Sequence, residues 1–187
     1  MIQLKLKSLK AIVFQKTESM TLYHGSDQII KTPELRSSPR TLDFGPGFYT
    51  TTNKEQAVNF AVKVYTRSIR EGNTPRGKFI SVYEANYEKM KKELDILHFK
   101  LADEAWLDFV MANRRSIYNG KKYDVIYGPV ANDTIYRTLI AFENGVLSAT
   151  DTIARLKIRQ LFDQMIFVSE KSISFLKYSD FIEVSNG

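Results

Sequence analysis

Two segments carry apolar residues at helical spacing behind a clear cap. Asn53 stands as an N-cap with Gln56 three positions on, and Ala57, Phe60, Ala61 and Val64 then recur on one face. This predicts a helix from 53 to about 70, closed by the glycine- and proline-bearing stretch 71–77. Asp103 opens a second helix over 102–115 with Trp106, Leu107, Val110 and Met111 on one face, so Trp106 reads as core rather than as a binding residue. Arg114 and Arg115 at its end suit the negative pole of the helix dipole. Asp133 and Ser148 are caps for two further helices, one to about 143 with Gly145 as its stop, the other to about 160. Short apolar or alternating runs at 21–26, 48–51, 79–85, 123–127, 164–168 and 178–184 read as strands, with a cap at Ser169 and a short helical turn before the last. The polar stretch 27–40, with Pro33 and Pro39, reads as a surface loop. Many short strands and four or five helices, without the rhythm of a parallel sheet, give an α+β domain.

Composition narrows this without identifying it. At 187 residues, 43% hydrophobic and 12% aromatic, the chain supports one packed core and calls for no second domain. The absence of cysteine excludes disulfides and thiolate ligands or nucleophiles and suits a reducing cytoplasm. With His24 and His98 as its two histidines, the chain is poorly equipped for a zinc site, and no metal is expected. A net charge of +6 favours polyanions, either nucleic acid or a pyrophosphate-bearing cofactor. Residues 1–21 form a basic extension in which Lys5, Lys7 and Lys10 alternate with Leu4, Leu6 and Leu9; it reads as an edge strand or as an arm for a partner or nucleic acid. Its apolar run, 11–14, is too short for an export signal or a membrane span.

Candidate chemistry concentrates at two corners. In LDFGPGFYTTTNKEQAVNFA (42–61), Gly45 and Gly47 allow positive backbone angles and close approach by another molecule, while Pro46 stiffens the turn. Taken alone, the same residues are equally explained as a tight corner with Tyr49 and Phe60 as core aromatics. Upstream, Tyr23-His24-Gly25-Ser26 puts a histidine at a strand end before a glycine-serine turn that exposes main-chain groups to a ligand. Lys31, Arg36 and Arg40 lie on the intervening loop, either as a solvated face or as cations within reach of a pyrophosphate. Asn132 and Asp133, in the corner GPVAND, are explained by helix capping, with a place at a cleft as the other reading.

The combination of YHGS, FGPGFY and LFDQMIF resembles the ADP-ribosyltransferase superfamily of the diphtheria-toxin and poly(ADP-ribose) polymerase type. More closely, LYHGSDQII, LDFGPGFYTTTNKEQA, WLDF, GPVAND and DQMIFVSEKSISFLKY, in that order over 22–178, are similar to the bacterial DUF3990 family, usually placed in that superfamily. The resemblance implies an ADP-ribosyltransferase-like split β-sandwich over 22–187, two mainly antiparallel sheets with flanking helices around an NAD cleft, and NAD as co-substrate.

It also implies roles. His24 would hydrogen-bond the adenosine ribose, Gly25 would offer main-chain groups to the nicotinamide amide, and Ser26 would reach that amide or its ribose. Tyr49 would stack on the nicotinamide ring, with Phe60 as the second ring of a clamp. Gln164 occupies the third motif position and departs from the glutamate pattern: its carbonyl accepts a hydrogen bond from the ribose 2′-hydroxyl but carries no charge and is no general base. Strand alternation sends the adjacent Asp163 to the other face; Asp133, Asp43 and Glu104 are weaker candidates for a base. The implied activity is mono-ADP-ribosyl transfer to a nucleic acid or protein, in a cytoplasmic bacterial toxin paired with an antitoxin or deployed against phage. NAD hydrolysis, or a silent module that binds NAD or nucleic acid, are the alternatives.

Overall fold

The computed structural model describes residues 19–35, 42–130, 133–157 and 162–185. Most of the basic extension and two of the loop cations, Arg36 and Arg40, lie outside them, as does Asn132. One sheet is antiparallel in the order β1 (Ser19–Ser26), β3 (Phe79–Asn86), β7 (Lys177–Glu183). The other runs β2 (Phe48–Thr50), β6 (Phe162–Phe167), β5 (Val125–Val130), β4 (Ile96–His98), with β4 parallel to β5 and the remaining pairs antiparallel. Six helices flank them among the described residues: α1 (Lys54–Arg70), α2 (Tyr87–Glu93), α3 (Glu104–Arg114), α4 (Asp133–Glu143), α5 (Ala149–Lys157) and α6 (Glu170–Ile173). The architecture is an α+β split β-sandwich with flanking helices. No described helix is long and apolar enough to cross a membrane.

Strand alternation explains the two-part core. Met165 and Phe167 of β6 point between the sheets and meet Leu22, Phe48, Tyr83 and Val125; Ile166 points the other way, onto Trp106, Leu107, Val110, Leu139 and Leu156. Covered on both faces, these three residues of β6 are fully buried. Trp106 is core as its helical face predicts, and its indole N–H donates to the Pro129 carbonyl at 2.9 Å, leaving no buried donor unmet.

Caps locate the helices. Asn53 accepts from the Gln56 amide at 2.9 Å and Asp103 from the Trp106 amide at 3.0 Å, each satisfying one of the four amides a helix leaves unpaired at its start. Ser169 and Ser172 form a reciprocal capping box on α6. Helix α1 lies unusually near β1: a Cβ on Gly25 would stand 2.2 Å from the Ala57 carbonyl oxygen and 2.7 Å from the Ala61 amide. Glycine facing two alanines is what lets helix and strand backbones approach this closely.

Several expectations need correcting. Gly45 has a positive φ of 78°, but Gly47 does not; Gly47 lines the cavity described below, and its missing side chain also makes room for β6, since a Cβ there would lie 2.7 Å from the Phe167 carbonyl oxygen. Strand β5 continues through Gly128 and Pro129, which the sequence suggested as a corner. Its parallel partner β4 ends opposite Tyr127, so beyond that point the proline need not donate toward β4. Helix α2 and strand β4 had no counterpart in the sequence reading. Asp133 is the first residue of α4 rather than the residue before it.

Among the described residues an isolated antiparallel bridge ties the two sheets. The Tyr23 amide donates to the Thr51 carbonyl at 2.9 Å, and the Thr51 amide returns a bond to the Tyr23 carbonyl at 3.0 Å. Beyond this bridge, His24 and Ser26 of β1 and Phe48 and Tyr49 of β2 line a cleft.

Candidate functional site

A cavity of about 510 Å³ occupies that cleft, within the size range of small-molecule sites. Sheet one contributes His24 and Ser26; sheet two contributes Phe48, Tyr49, Val130 and Gln164; α1 contributes Phe60 and α3 contributes Arg114. A small extension of about 30 Å³ continues behind it, and Tyr49, Phe60 and Gln164 line both. The sequence-predicted residues His24, Ser26, Tyr49, Phe60 and Gln164 therefore share one cavity. Gly25 lines the extension. Lys31 does not line the cavity; its ammonium lies 6.0 Å from the centroid of the Tyr178 ring.

His24 is fixed on two sides. Its ring stacks on Phe48 with centroids 4.4 Å apart, and Nδ1 donates to the Tyr49 carbonyl at 2.7 Å. A carbonyl can only accept, so Nδ1 carries a proton, and in the neutral tautomer of the ring Nε2 is the acceptor. The contact also crosses from one sheet to the other.

Tyr49 hydrogen-bonds through its hydroxyl to the Gly45 carbonyl at 2.5 Å, which ties the ring to the Gly-Pro-Gly turn. Burial, reinforced by the Asp43 carboxylate, pushes its phenol far above the ordinary range, so it stays a proton donor at any physiological pH. Phe60 remains 44% exposed on α1 and lines the cavity together with Phe48 and Tyr49.

Gln164 shares the face of Ile166 by alternation, and Oε1 of its carboxamide is a buried atom with no hydrogen-bond partner among the described residues. Leaving such a group unmet costs about 1–3 kcal/mol. Its neighbour Asp163 is saturated. It accepts from the Thr51 hydroxyl (2.9 Å), the Thr52 amide (3.0 Å), the Thr52 hydroxyl (2.5 Å) and the Tyr127 hydroxyl (3.0 Å). Asp163 lines a separate cavity and braces β6 against the start of α1 beside Gln164, as alternation predicted. Of the weaker base candidates, Asp43 lines the main cavity, whereas Glu104 is exposed in the first turn of α3 and does not.

The sequence reading missed Arg114 as a lining residue and assigned it to the helix dipole. Its guanidinium forms a 2.9 Å ion pair with Asp43, the two side chains being 13% and 16% exposed. The signal was present: Leu107, Met111 and Arg114 follow at i, i+4 and i+7, so the arginine continues the buried stripe of α3 instead of the solvated face. Among the described residues no group of three or more His, Asp or Glu side chains is arranged to hold a metal ion.

The protein-family model described as "Protein of unknown function (DUF3990)" matches residues 20–178. No curated protein and no solved structure matches the chain significantly. The match spans most of the sequence, from within β1 to within β7, and takes in every strand and helix that borders the cavity: the chain belongs to the DUF3990 family.

Proposed function

We propose that the protein transfers a single ADP-ribose unit from NAD to a macromolecular acceptor, as the resemblance to ADP-ribosyltransferases with an H-Y-Q motif implies. The observation that carries this reading is the unmet Oε1 of Gln164, buried in the same cavity as the oriented ring of His24 and the aromatic pair Tyr49 and Phe60. A buried carboxamide oxygen left without a partner, in a cavity of small-molecule size, fits a polar ligand group better than it fits a core.

In this reaction the C1′–N bond of the nicotinamide ribose breaks, and its electron pair neutralises the cationic nicotinamide nitrogen. A new bond forms from C1′ to the acceptor nucleophile, whose proton passes to solvent. Tyr49 and Phe60 hold the departing ring, a stacked pair contributing about 0.5–1.5 kcal/mol beyond burial. His24 Nε2 accepts from a ribose hydroxyl. Gln164 orients the nicotinamide ribose through a hydrogen bond without supplying charge, so positioning and aromatic binding carry more of the barrier than general-base catalysis. The loss of a carboxylate at this position disfavours polymer synthesis. The basic chain suits a nucleic-acid acceptor, and growth inhibition in a toxin–antitoxin or anti-phage setting is the matching biological role.

The test is incubation with NAD labelled on its adenylate, separately with RNA, DNA and protein extract, following nicotinamide release and label transfer. Transfer to one pool is expected, and His24→Ala, Tyr49→Ala and Gln164→Ala each suppress it while thermal melting shows that the fold is intact. Nicotinamide release without transfer replaces the reading with hydrolysis. Binding without release replaces it with a silent module, and full labelling by Tyr49→Ala removes the assignment of the ring.

A further inference from the structure

The cavity is unevenly charged for a ligand that carries phosphate. Its described lining holds three carboxylates, Asp27, Glu34 and Asp43, against one permanent cation, Arg114. Asp43 and Arg114 are largely buried, so their charges are only weakly screened, and a pyrophosphate entering beside the Asp43 carboxylate is repelled unless a cation receives it. Arg114 is placed for the task. It leaves the last turn of α3 on the buried side, is held at the cavity wall, and already engages an oxyanion, the Asp43 carboxylate, through Nη1 at 2.9 Å.

An arginine serving only the helix dipole has no reason to turn inward. The neighbouring Arg115 behaves in that ordinary way, 46% exposed and paired on the surface with Glu143. Asp43 in turn sits in the turn that holds Tyr49: Gly45 donates its amide to the Leu42 carbonyl at 3.0 Å and accepts the Tyr49 hydroxyl. The ion pair thus joins the end of α3 to the corner beside the candidate ring-stacking residue. A guanidinium has five donors in a rigid fork that fits carboxylate and phosphate alike, so it can exchange carboxylate for phosphate with little rearrangement.

We propose that Arg114 is an anion-binding residue of the cavity, receiving a phosphate of the nucleotide ligand, and that Asp43 is a resident counter-charge which holds the guanidinium in place and competes with that phosphate. The inference rests on the NAD reading for the identity of the ligand but not for its chemistry, since any nucleoside diphosphate engages the same fork. Asp43 is therefore antagonistic to binding while Arg114 favours it, although the two form one ion pair. A merely structural pair has no such asymmetry.

The experiment is calorimetric titration of the full chain with ADP, and with adenosine as the phosphate-free control. Arg114→Gln is expected to weaken ADP binding about tenfold or more and to flatten its salt dependence, leaving adenosine binding unchanged. Asp43→Asn, which keeps the shape and a hydrogen bond but removes the charge, is expected to tighten ADP binding several-fold. If Arg114→Gln does not fold, as thermal melting reports, Arg114→Lys takes its place, with a smaller loss of ADP affinity expected from the lost fork. Undetectable ADP binding to the wild type, unchanged ADP affinity in the Arg114 variants, or weakening by Asp43→Asn comparable to that by Arg114→Gln overturns the proposal. Nicotinamide release from NAD by a protein whose ADP affinity ignores Arg114 sinks this inference and leaves the transferase reading. ADP binding that follows the expected pattern without nicotinamide release does the reverse.

Discussion

Replacing Gln164 by glutamate changes almost no volume but places a titratable group where a buried oxygen lacks a partner. The wall around it carries Asp43, and Asp163 precedes it in β6, so both desolvation and nearby carboxylates disfavour ionisation; Arg114 opposes them in part. A folded-state pKa raised by about 1–2 units above the unfolded value of about 4.3 corresponds to about 1.4–2.7 kcal/mol. The sign follows from linkage. Below about pH 4 the introduced acid is neutral in both states and costs nothing, whereas above the raised pKa the unfolded state gains by ionising more readily. Gln164→Glu should therefore match the wild type in urea denaturation near pH 4 and fall short by the full amount near pH 7.5. Measuring both proteins at both pH values cancels the titration of all other groups. An equal deficit at both values, or none at either, would refute the burial argument and with it the notion of an unmet polar group facing the cavity.

Two further outcomes concern the frame of the cleft. Gly25→Ala drives a methyl group into the backbone of α1 at Ala57, so unfolding should be easier by at least about 1–3 kcal/mol, read from denaturant midpoints; an unchanged midpoint would mean that α1 and β1 are free to separate. Asn53→Ala removes the cap accepting from Gln56 and should cost about 1 kcal/mol, with Asn53→Asp restoring most of it.

Local chemistry was legible where neighbours in sequence decide the structure. The Asn53, Asp103 and Ser169 caps each act within three residues of themselves, and the structure places each where capping logic puts it. The glycines show the boundary of that legibility. Gly45 is set by its own backbone angle, but Gly47 is required by β6, more than a hundred residues away, and nothing near it announces that contact. Pro129 misled for a related reason: a proline within a strand is tolerated here because β4 stops short, a fact of sheet order rather than of sequence. The pattern within β6 was readable, since Gln164 and Asp163 face opposite ways as any strand demands. The inward turn of Arg114 was also readable from its stripe, but a basic residue at a helix end has a ready local explanation that hid it.

The Tyr23–Thr51 bridge has a mechanical consequence. It is a fulcrum, and lever arms measured from it are very unequal. Along β1, His24 stands one residue away, about 3.3 Å, while Ser19 stands four residues away, about 13 Å. A rocking of one sheet against the other by about 10° around that point would carry Ser19 through about 2.3 Å but His24 through only about 0.6 Å, within the compliance of a hydrogen bond. Any such rocking would be felt at the far rim first, while the groups nearest the pivot keep their spacing.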